Sequence, residues 1–256
     1  MRHHRFYELG DFLRPGDVLV VNNTAVIPGR LIGKKDSGGR VEVLICSFSG
    51  DGRPSALKAK AVFKCLIKSA KPPRSGGLLH FDDQLTARVI ERCHETYRVE
   101  FDANGDFEAL LDRIGKVPLP PYIQRSEESK APCDDRAAYQ TVYATERGAI
   151  AAPTACLHFT PEVLADLKNS GTVIAAITLH VGYGTFRPVR TPDIRRHQMH
   201  SERFSISAAA AQLINTARAA GHRVVAVGTT CVRTLEYAAD SMGRVAAGTG
   251  DCDLFI

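Results

Sequence analysis

The sequence predicts an α/β domain, a mostly parallel sheet with flanking helices, into which a small all-β unit is inserted. Three observations carry this. From about residue 139 onward, strand-like and helix-like segments alternate, the pattern of a parallel sheet covered by helices. Between residues 30 and 101, short alternating runs are split by turn signals at regular spacing. Before both lies an unbroken apolar run, Val18-Leu-Val-Val-Asn22, which reads as a buried strand of the same sheet.

Taken in order, Pro15-Gly16-Asp17 is a turn that introduces the strand 18–22. Alternating runs follow at 30–34, 40–46, 56–63, 77–81, 85–91 and 96–101, divided by turns such as Asp36-Ser-Gly-Gly39 and Ser75-Gly-Gly77. Evenly spaced short strands suit a small barrel or a sandwich. Val117-Pro-Leu-Pro-Pro-Tyr122 is an extended connector, because its prolines lack backbone donors. Thr160-Pro161 opens a helix over 162–169 that Gly171 closes, with cap, first-turn proline and terminal glycine all in place. The spacing predicts a strand over 173–181, an alanine-rich helix from Ser207 to Ala220 ended by Gly221, and a strand over 224–227. The α/β part is therefore expected at 1–29 and 111–256, and the inserted unit at 30–110.

Composition bounds the partners. At 44% apolar and 24% charged, the 256 residues form a globular chain, and the longest apolar stretch, near 173–177, is too short to span a bilayer. The first twelve residues lack a charged start followed by an apolar core, so no secretory signal is expected. Seven scattered cysteines without a Cys-x-x-Cys suit reduced thiols in a cytoplasmic protein. Residues 30–74 hold eleven Lys/Arg against three Asp/Glu, or +8, which leaves −3 for the rest of the net +5. Such a block points to a polyanion, nucleic acid above all; the plainer reading is lysines that solvate a β-unit.

Four polar clusters mark one expected active-site face. They are Ala-Ala-Pro-Thr-Ala-Cys-Leu-His-Phe (151–159), Thr-Leu-His-Val-Gly-Tyr-Gly-Thr-Phe (178–186), His-Gln-Met-His-Ser-Glu (197–202) and Gly-Thr-Thr-Cys-Val-Arg (228–233). Small residues let a ligand approach the backbone, and the His, Thr, Glu and Arg supply donors and acid–base groups. Thr229, Thr230 and Arg233 at a helix start make an anion site; threonine caps with a solvated arginine are the alternative. Gly182-Tyr183-Gly184 is half of a dinucleotide fingerprint, and the third glycine position is Arg187, so a nicotinamide site is excluded. His197, His200 and Glu202 invite a metal, but the i,i+4 spacing is absent and no third ligand is near; acid–base or hydrogen-bonding roles suit them better. His158 and His180 each end an apolar run, where a pleat would turn them toward a cleft.

With these clusters, Pro15-Gly-Asp-Val-Leu-Val-Val-Asn-Asn-Thr24, Val26-Ile-Pro-Gly-Arg30, Gly38-Gly-Arg-Val-Glu-Val43, Val117-Pro-Leu-Pro-Pro-Tyr-Ile123 and Tyr139-Gln-Thr-Val-Tyr143, the chain resembles the S-adenosylmethionine:tRNA ribosyltransferase-isomerase family of queuosine biosynthesis. The resemblance implies a six-stranded β-barrel inserted in an α/β sandwich. It also implies that the ribosyl group of S-adenosylmethionine is isomerised and moved to a 7-aminomethyl-7-deazaguanine at the wobble position of tRNA. Epoxyqueuosine-tRNA forms, and adenine and methionine leave. S-adenosylmethionine is then a consumed substrate, with no resident cofactor or metal.

On this reading His158, His180 and Glu202 are the acid–base candidates. Thr154, Gly182, Tyr183, Gly184, His197, His200, Thr229, Thr230 and Arg233 bind substrate, and Arg40, Lys58, Lys60, Lys64 and Lys68 meet the tRNA backbone. The four lysines share parity, which places them on one face of a strand. A monomer with no membrane partner is expected. Family members begin about 30 residues earlier and continue past Ile256, so the chain reads as a fragment, with an inactive tRNA-binding piece as the alternative function. Cys156 stands where the family usually has glycine, beside His158, and Lys71-Pro-Pro-Arg74 also departs from the family texture.

Overall fold

The computed structural model describes residues 3–46, 60–123, 125, 133–186, 193 and 201–256. Its centre is a five-stranded sheet in the order β12 (Val224–Ala226), β1 (Val18–Asn22), β10 (Val173–Leu179), β11 (Glu202–Ile206) and β13 (Gly248–Cys252). Strand β1 (Val18–Asn22) lies between β10 (Val173–Leu179) and β12 (Val224–Ala226), parallel to both. Every residue of β1 is buried, because successive side chains enter opposite apolar layers. Val18 and Val20 share a core with Ala175, Ile177 and Leu179 and with helix α4 (Ala208–Ala219), and helix α5 (Gly228–Ala238) packs into the same cluster through Cys231 and Leu235. Leu19 and Val21 pack instead against Cys156, Phe159 and Leu167, from the 3-10 turn Thr154–His158 and helix α3 (Pro161–Asn169).

The caps read from sequence are in place. Thr160 Oγ1 accepts from the Val163 N–H at 3.3 Å, and Ser207 Oγ accepts from the Ala210 N–H at 3.1 Å. The other half of the sheet differs from the mostly parallel arrangement expected. Strand β11 (Glu202–Ile206) is antiparallel to β10, with Leu179 opposite Phe204, and β13 (Gly248–Cys252) is antiparallel to β11. The chain leaves β10 and re-enters β11 at the same end of the sheet, so the two strands must run in opposite directions. The sheet is mixed.

Strands β3 (Arg30–Lys35), β4 (Arg40–Ile45), β5 (Lys60–Ser69), β6 (Leu78–Asp82), β7 (Leu85–Cys93) and β8 (Thr96–Ala103) close into an antiparallel barrel in the order β3-β4-β5-β8-β7-β6. Its interior is filled by Leu31, Val41, Val43, Phe63, Leu79, Val89, Val99 and Phe101, among others. Helix α1 (Phe107–Ile114), capped by Asp106, packs on this core through Phe107, Leu110 and Leu111; the Phe107 ring stacks on Phe63 at 5.3 Å. Barrel packing thus runs past residue 110.

Two features at the barrel's root escaped the sequence. Strand β2 (Thr24–Val26) pairs in parallel with β9 (Glu146–Ala149), both too short for their alternation to stand out. Where the chain enters and leaves the barrel, Arg30 and Lys116 exchange backbone hydrogen bonds at 3.1 and 2.8 Å. Gly115 makes this crossing possible: a Cβ there would sit 2.0 Å from the Pro28 carbonyl oxygen. The remaining helix, α2 (Asp135–Ala138), is a single capped turn. Among the described residues, no helix is long and apolar enough to cross a membrane.

Candidate active site

A cavity of about 240 Å³ opens where the sheet meets the barrel. The sheet side supplies Gly148, His180, Val181, Gly182, Tyr183, Ser201, Glu202, Arg203 and Asp251; the barrel side supplies Cys46 and Lys64. His180 follows the last residue of β10, and its N–H donates to the Arg203 carbonyl at 2.9 Å, which ties it to β11. Its Nδ1 lies 2.8 Å from Thr24 Oγ1. Tyr183 is buried against the barrel with Cys46 and Ile150, and Lys64 Nζ stands 5.6 Å from its ring centroid, a cation–π contact. Burial pushes the Cys46 thiol up to about 12, so at neutral pH the cavity wall offers no thiolate there.

Glu202 is buried, and both its oxygens are engaged. Oε1 accepts from the Gly182 N–H at 2.7 Å, and Oε2 pairs with Arg233 Nη1. Arg233 is buried too; its Nε donates to the Leu254 carbonyl at 2.7 Å and its Nη2 to the Cys252 carbonyl at 3.2 Å. A guanidinium inside a helix face cannot also reach an outside anion. The expectation that Arg233 holds a carboxylate or phosphate is corrected on that ground. It anchors Glu202, and Glu202 anchors the Gly182 loop. Thr229 is exposed at the start of α5, while the buried Oγ1 of Thr230 has no hydrogen-bond partner among the described residues.

As far as their described residues go, the four sequence clusters meet in two pairs rather than on one face. Residues 180–183, Ser201 and Glu202 line the cavity, and Gly184 does not. The 3-10 turn Thr154–His158 packs instead against the start of α5, so closely that a Cβ on Gly228 would lie 3.0 Å from the Ala155 Cβ. The Glu202–Arg233 pair joins the two groups.

His158 is exposed at the end of that turn, with its ring 5.2 Å from Phe6, and it does not line the cavity; Thr154 is exposed as well. Strand pleating does not govern residues in a 3-10 turn, so the argument that aimed His158 at the cleft fails there. Cys156 is fully buried with its Sγ toward the Val227 carbonyl, away from the cavity. His197, His200 and Lys58 lie outside the described residues.

On the barrel, Lys60, Lys64 and Lys68 are exposed while Ala61, Phe63 and Cys65 are buried, so the shared parity holds. Arg40 is exposed at the start of β4. Carboxylates interrupt this face: Lys60 lies 3.4 Å from Asp102, and Lys68 pairs in register with Glu42. Lys64 differs from the others in also reaching the cavity. Sequence reasoning missed Gly148 and Asp251, which line the cavity, and Thr24, which contacts His180 from behind it, since each takes its place only through pairing between segments distant in the chain.

A closed barrel set against a mixed α/β sheet, with a polar cavity at the join holding a histidine, a lysine and a buried carboxylate, defines an enzyme of the barrel-bearing α/β class. The profile of the family described as queuosine biosynthesis protein matches residues 1–256, and the chain belongs to that family. It is 49% identical over 254 residues to the S-adenosylmethionine:tRNA ribosyltransferase-isomerase of Syntrophotalea carbinolica, covering 98% of this chain and 71% of that protein. The protein of the same name from Pelobacter propionicus is 47% identical, with 99% and 71% covered. The crystal structure of S-adenosylmethionine tRNA ribosyltransferase from Thermotoga maritima is 27% identical, covers 100% of this chain and 66% of that one, and superposes with a TM-score of 0.39.

Proposed function

We infer that this chain is an S-adenosylmethionine:tRNA ribosyltransferase-isomerase of queuosine biosynthesis, with the cavity between barrel and sheet as its reaction site. The ribosyl group of S-adenosylmethionine is isomerised and passed to the aminomethyl arm of a 7-deazaguanine at the wobble position of tRNA. Epoxyqueuosine-tRNA, adenine and methionine are the products. S-adenosylmethionine is consumed as a substrate, and the residues in the cavity suit this chemistry without a resident cofactor or metal. We read the molecule as an α/β sandwich, 1–29 and 111–256, interrupted by a barrel unit over 30–110, acting as a cytoplasmic monomer.

The single observation that carries the site assignment is the position of His180. It stands on the cavity wall, at the end of a sheet strand and beside a glycine-rich loop whose backbone Glu202 holds in place. The reaction needs a base for a carbon acidified by the neighbouring sulfonium, and an acid for departing adenine. An imidazole serves either role near neutral pH. Glu202 and Arg233 keep the Gly182–Tyr183 backbone at the site, and Lys64 forms its barrel-side wall with Tyr183 packed against it. The outer barrel residues Arg40, Lys60 and Lys68 contact tRNA phosphates, which give affinity without sequence choice, so the target base is read at the cavity.

The test is turnover with S-adenosylmethionine and precursor tRNA. His180→Gln lowers it about 10²–10⁴-fold with tRNA affinity kept, and His158→Gln leaves it near wild type. Undiminished turnover in His180→Gln overturns the assignment.

A further inference from the structure

The Thr24 hydroxyl lies against His180 from an element that the reaction does not otherwise use. Thr24 is fully buried in β2, a strand that pairs with β9 beneath the cavity. Among the described residues its Oγ1 has two hydrogen-bonding contacts: His180 Nδ1 at 2.8 Å and the Glu146 carbonyl oxygen at 3.5 Å. A carbonyl only accepts, so the arrangement that uses both contacts has the hydroxyl donating toward Glu146 and accepting from the ring. Reversing the bond would turn a hydroxyl lone pair toward the carbonyl oxygen inside the protein, which is costly.

The other side of the ring is set by Gly148, at φ +156°. A Cβ there would lie 2.7 Å from both Nδ1 and Cε1 of His180. The backbone of β9 therefore supplies both the carbonyl that orients the Thr24 hydroxyl and the bare Cα on which the ring rests.

We propose that Thr24 is the positioning residue of His180: it holds the proton on Nδ1 and thereby makes Nε2 the nitrogen that exchanges protons with the substrate. The Nδ1–H bond to Thr24 persists in the neutral and the protonated ring, so one geometry serves proton uptake and proton return without a ring flip. This rests on the assignment of the reaction to the His180 cavity. Its own test reads the tautomer directly and does not depend on turnover.

Histidine ring nitrogens are observed by ¹⁵N NMR on the labelled full chain, and His180 is assigned as the signal lost in His180→Gln. The expected result, above the titration of the ring, is a proton on Nδ1 and a bare Nε2. Thr24→Ser keeps that pattern, and Thr24→Val shifts the proton toward Nε2. In turnover, Thr24→Val lowers kcat by no more than the about 10²–10⁴-fold of losing an acid–base group, with KM for tRNA unchanged. A wild-type proton on Nε2 overturns the proposal, as does an unchanged pattern in Thr24→Val. Should Thr24→Val fail to fold, Thr24→Ser decides alone, since loss of the Nδ1 proton there contradicts the proposal. A normal tautomer together with full turnover in His180→Gln would instead overturn the reaction-site assignment and leave the positioning intact.

Discussion

At the scale of the residue, the cavity is organised by one buried ion pair. Glu202 and Arg233 are both buried, and between them they hold the Gly182 N–H and the carbonyls of Cys252 and Leu254. Removing one partner leaves a charge inside the protein without its counter-charge. Glu202→Ala should therefore cost about 3–5 kcal/mol of stability in urea denaturation, well beyond a surface substitution, and should also release the Gly182 loop. A loss below about 1 kcal/mol, the range of an exposed pair, would show that the pair holds nothing. Sequence reading singled out both residues, but it gave Arg233 to an outside anion rather than to Glu202. Arg233 sits in the first turns of a helix after Gly-Thr-Thr, where a free guanidinium would serve an anion. Only the return of β13 alongside β11 gives it carbonyls and a carboxylate to satisfy.

At the scale of the element, two contacts join segments far apart in the chain. Asp17, in the turn before β1, accepts from Arg223 Nε at 3.0 Å and from the backbone N–H groups of Arg14 and Arg223 at 2.8 and 3.0 Å. The Arg223 guanidinium holds its carboxyl well below the usual carboxylate range, against the opposing effect of burial. A folded pKa below the unfolded value of about 3.9 contributes stability above that pH and loses it as pH falls toward the folded value. The urea midpoint of the wild type should thus decline between about pH 5 and pH 2, and Asp17→Asn should start lower at pH 7 and flatten that decline. Parallel curves for the two proteins would count against the latch.

The second contact is the crossing at Gly115. Gly115→Ala drives a methyl into the Pro28 carbonyl at the barrel's root, and a cost of about 1–3 kcal/mol is expected in thermal or urea unfolding. Long elements with clear periods were legible in the sequence: β1, the barrel strands, and the capped helices α3 and α4. The pair β2–β9 was not, because strands of three and four residues carry too little alternation to announce themselves. Thr24, Gly148 and the orientation of His180 depend on that pair, so the most informative geometry of the site was hidden with it.

At the scale of the whole molecule, charge and chemistry lie on different parts of the fold. The described Lys and Arg of the basic stretch 30–74 belong to the barrel strands and the turns beside them, while His180 and Glu202 stand at the sheet. The basic face is broken by Asp102 and Glu42, so fewer phosphate contacts are expected than the lysine count alone suggests. Neutralising Lys60 and Lys68 together should lower the slope of log K against log salt for tRNA, by at most about 1.4–1.8, and leave S-adenosylmethionine binding intact. An unchanged slope would mean that these lysines only solvate the barrel. The central claim is that this chain moves a ribosyl group from S-adenosylmethionine to tRNA at the cavity where the barrel meets the sheet. The most direct measurement supplies S-adenosylmethionine labelled in its ribose with precursor tRNA bearing the aminomethyl deazaguanine, and follows label on the tRNA and adenine in solution. The account predicts that label enters tRNA in step with adenine release in the wild type and that both collapse in His180→Gln. Binding of tRNA with neither label transfer nor adenine release in the wild type would contradict it.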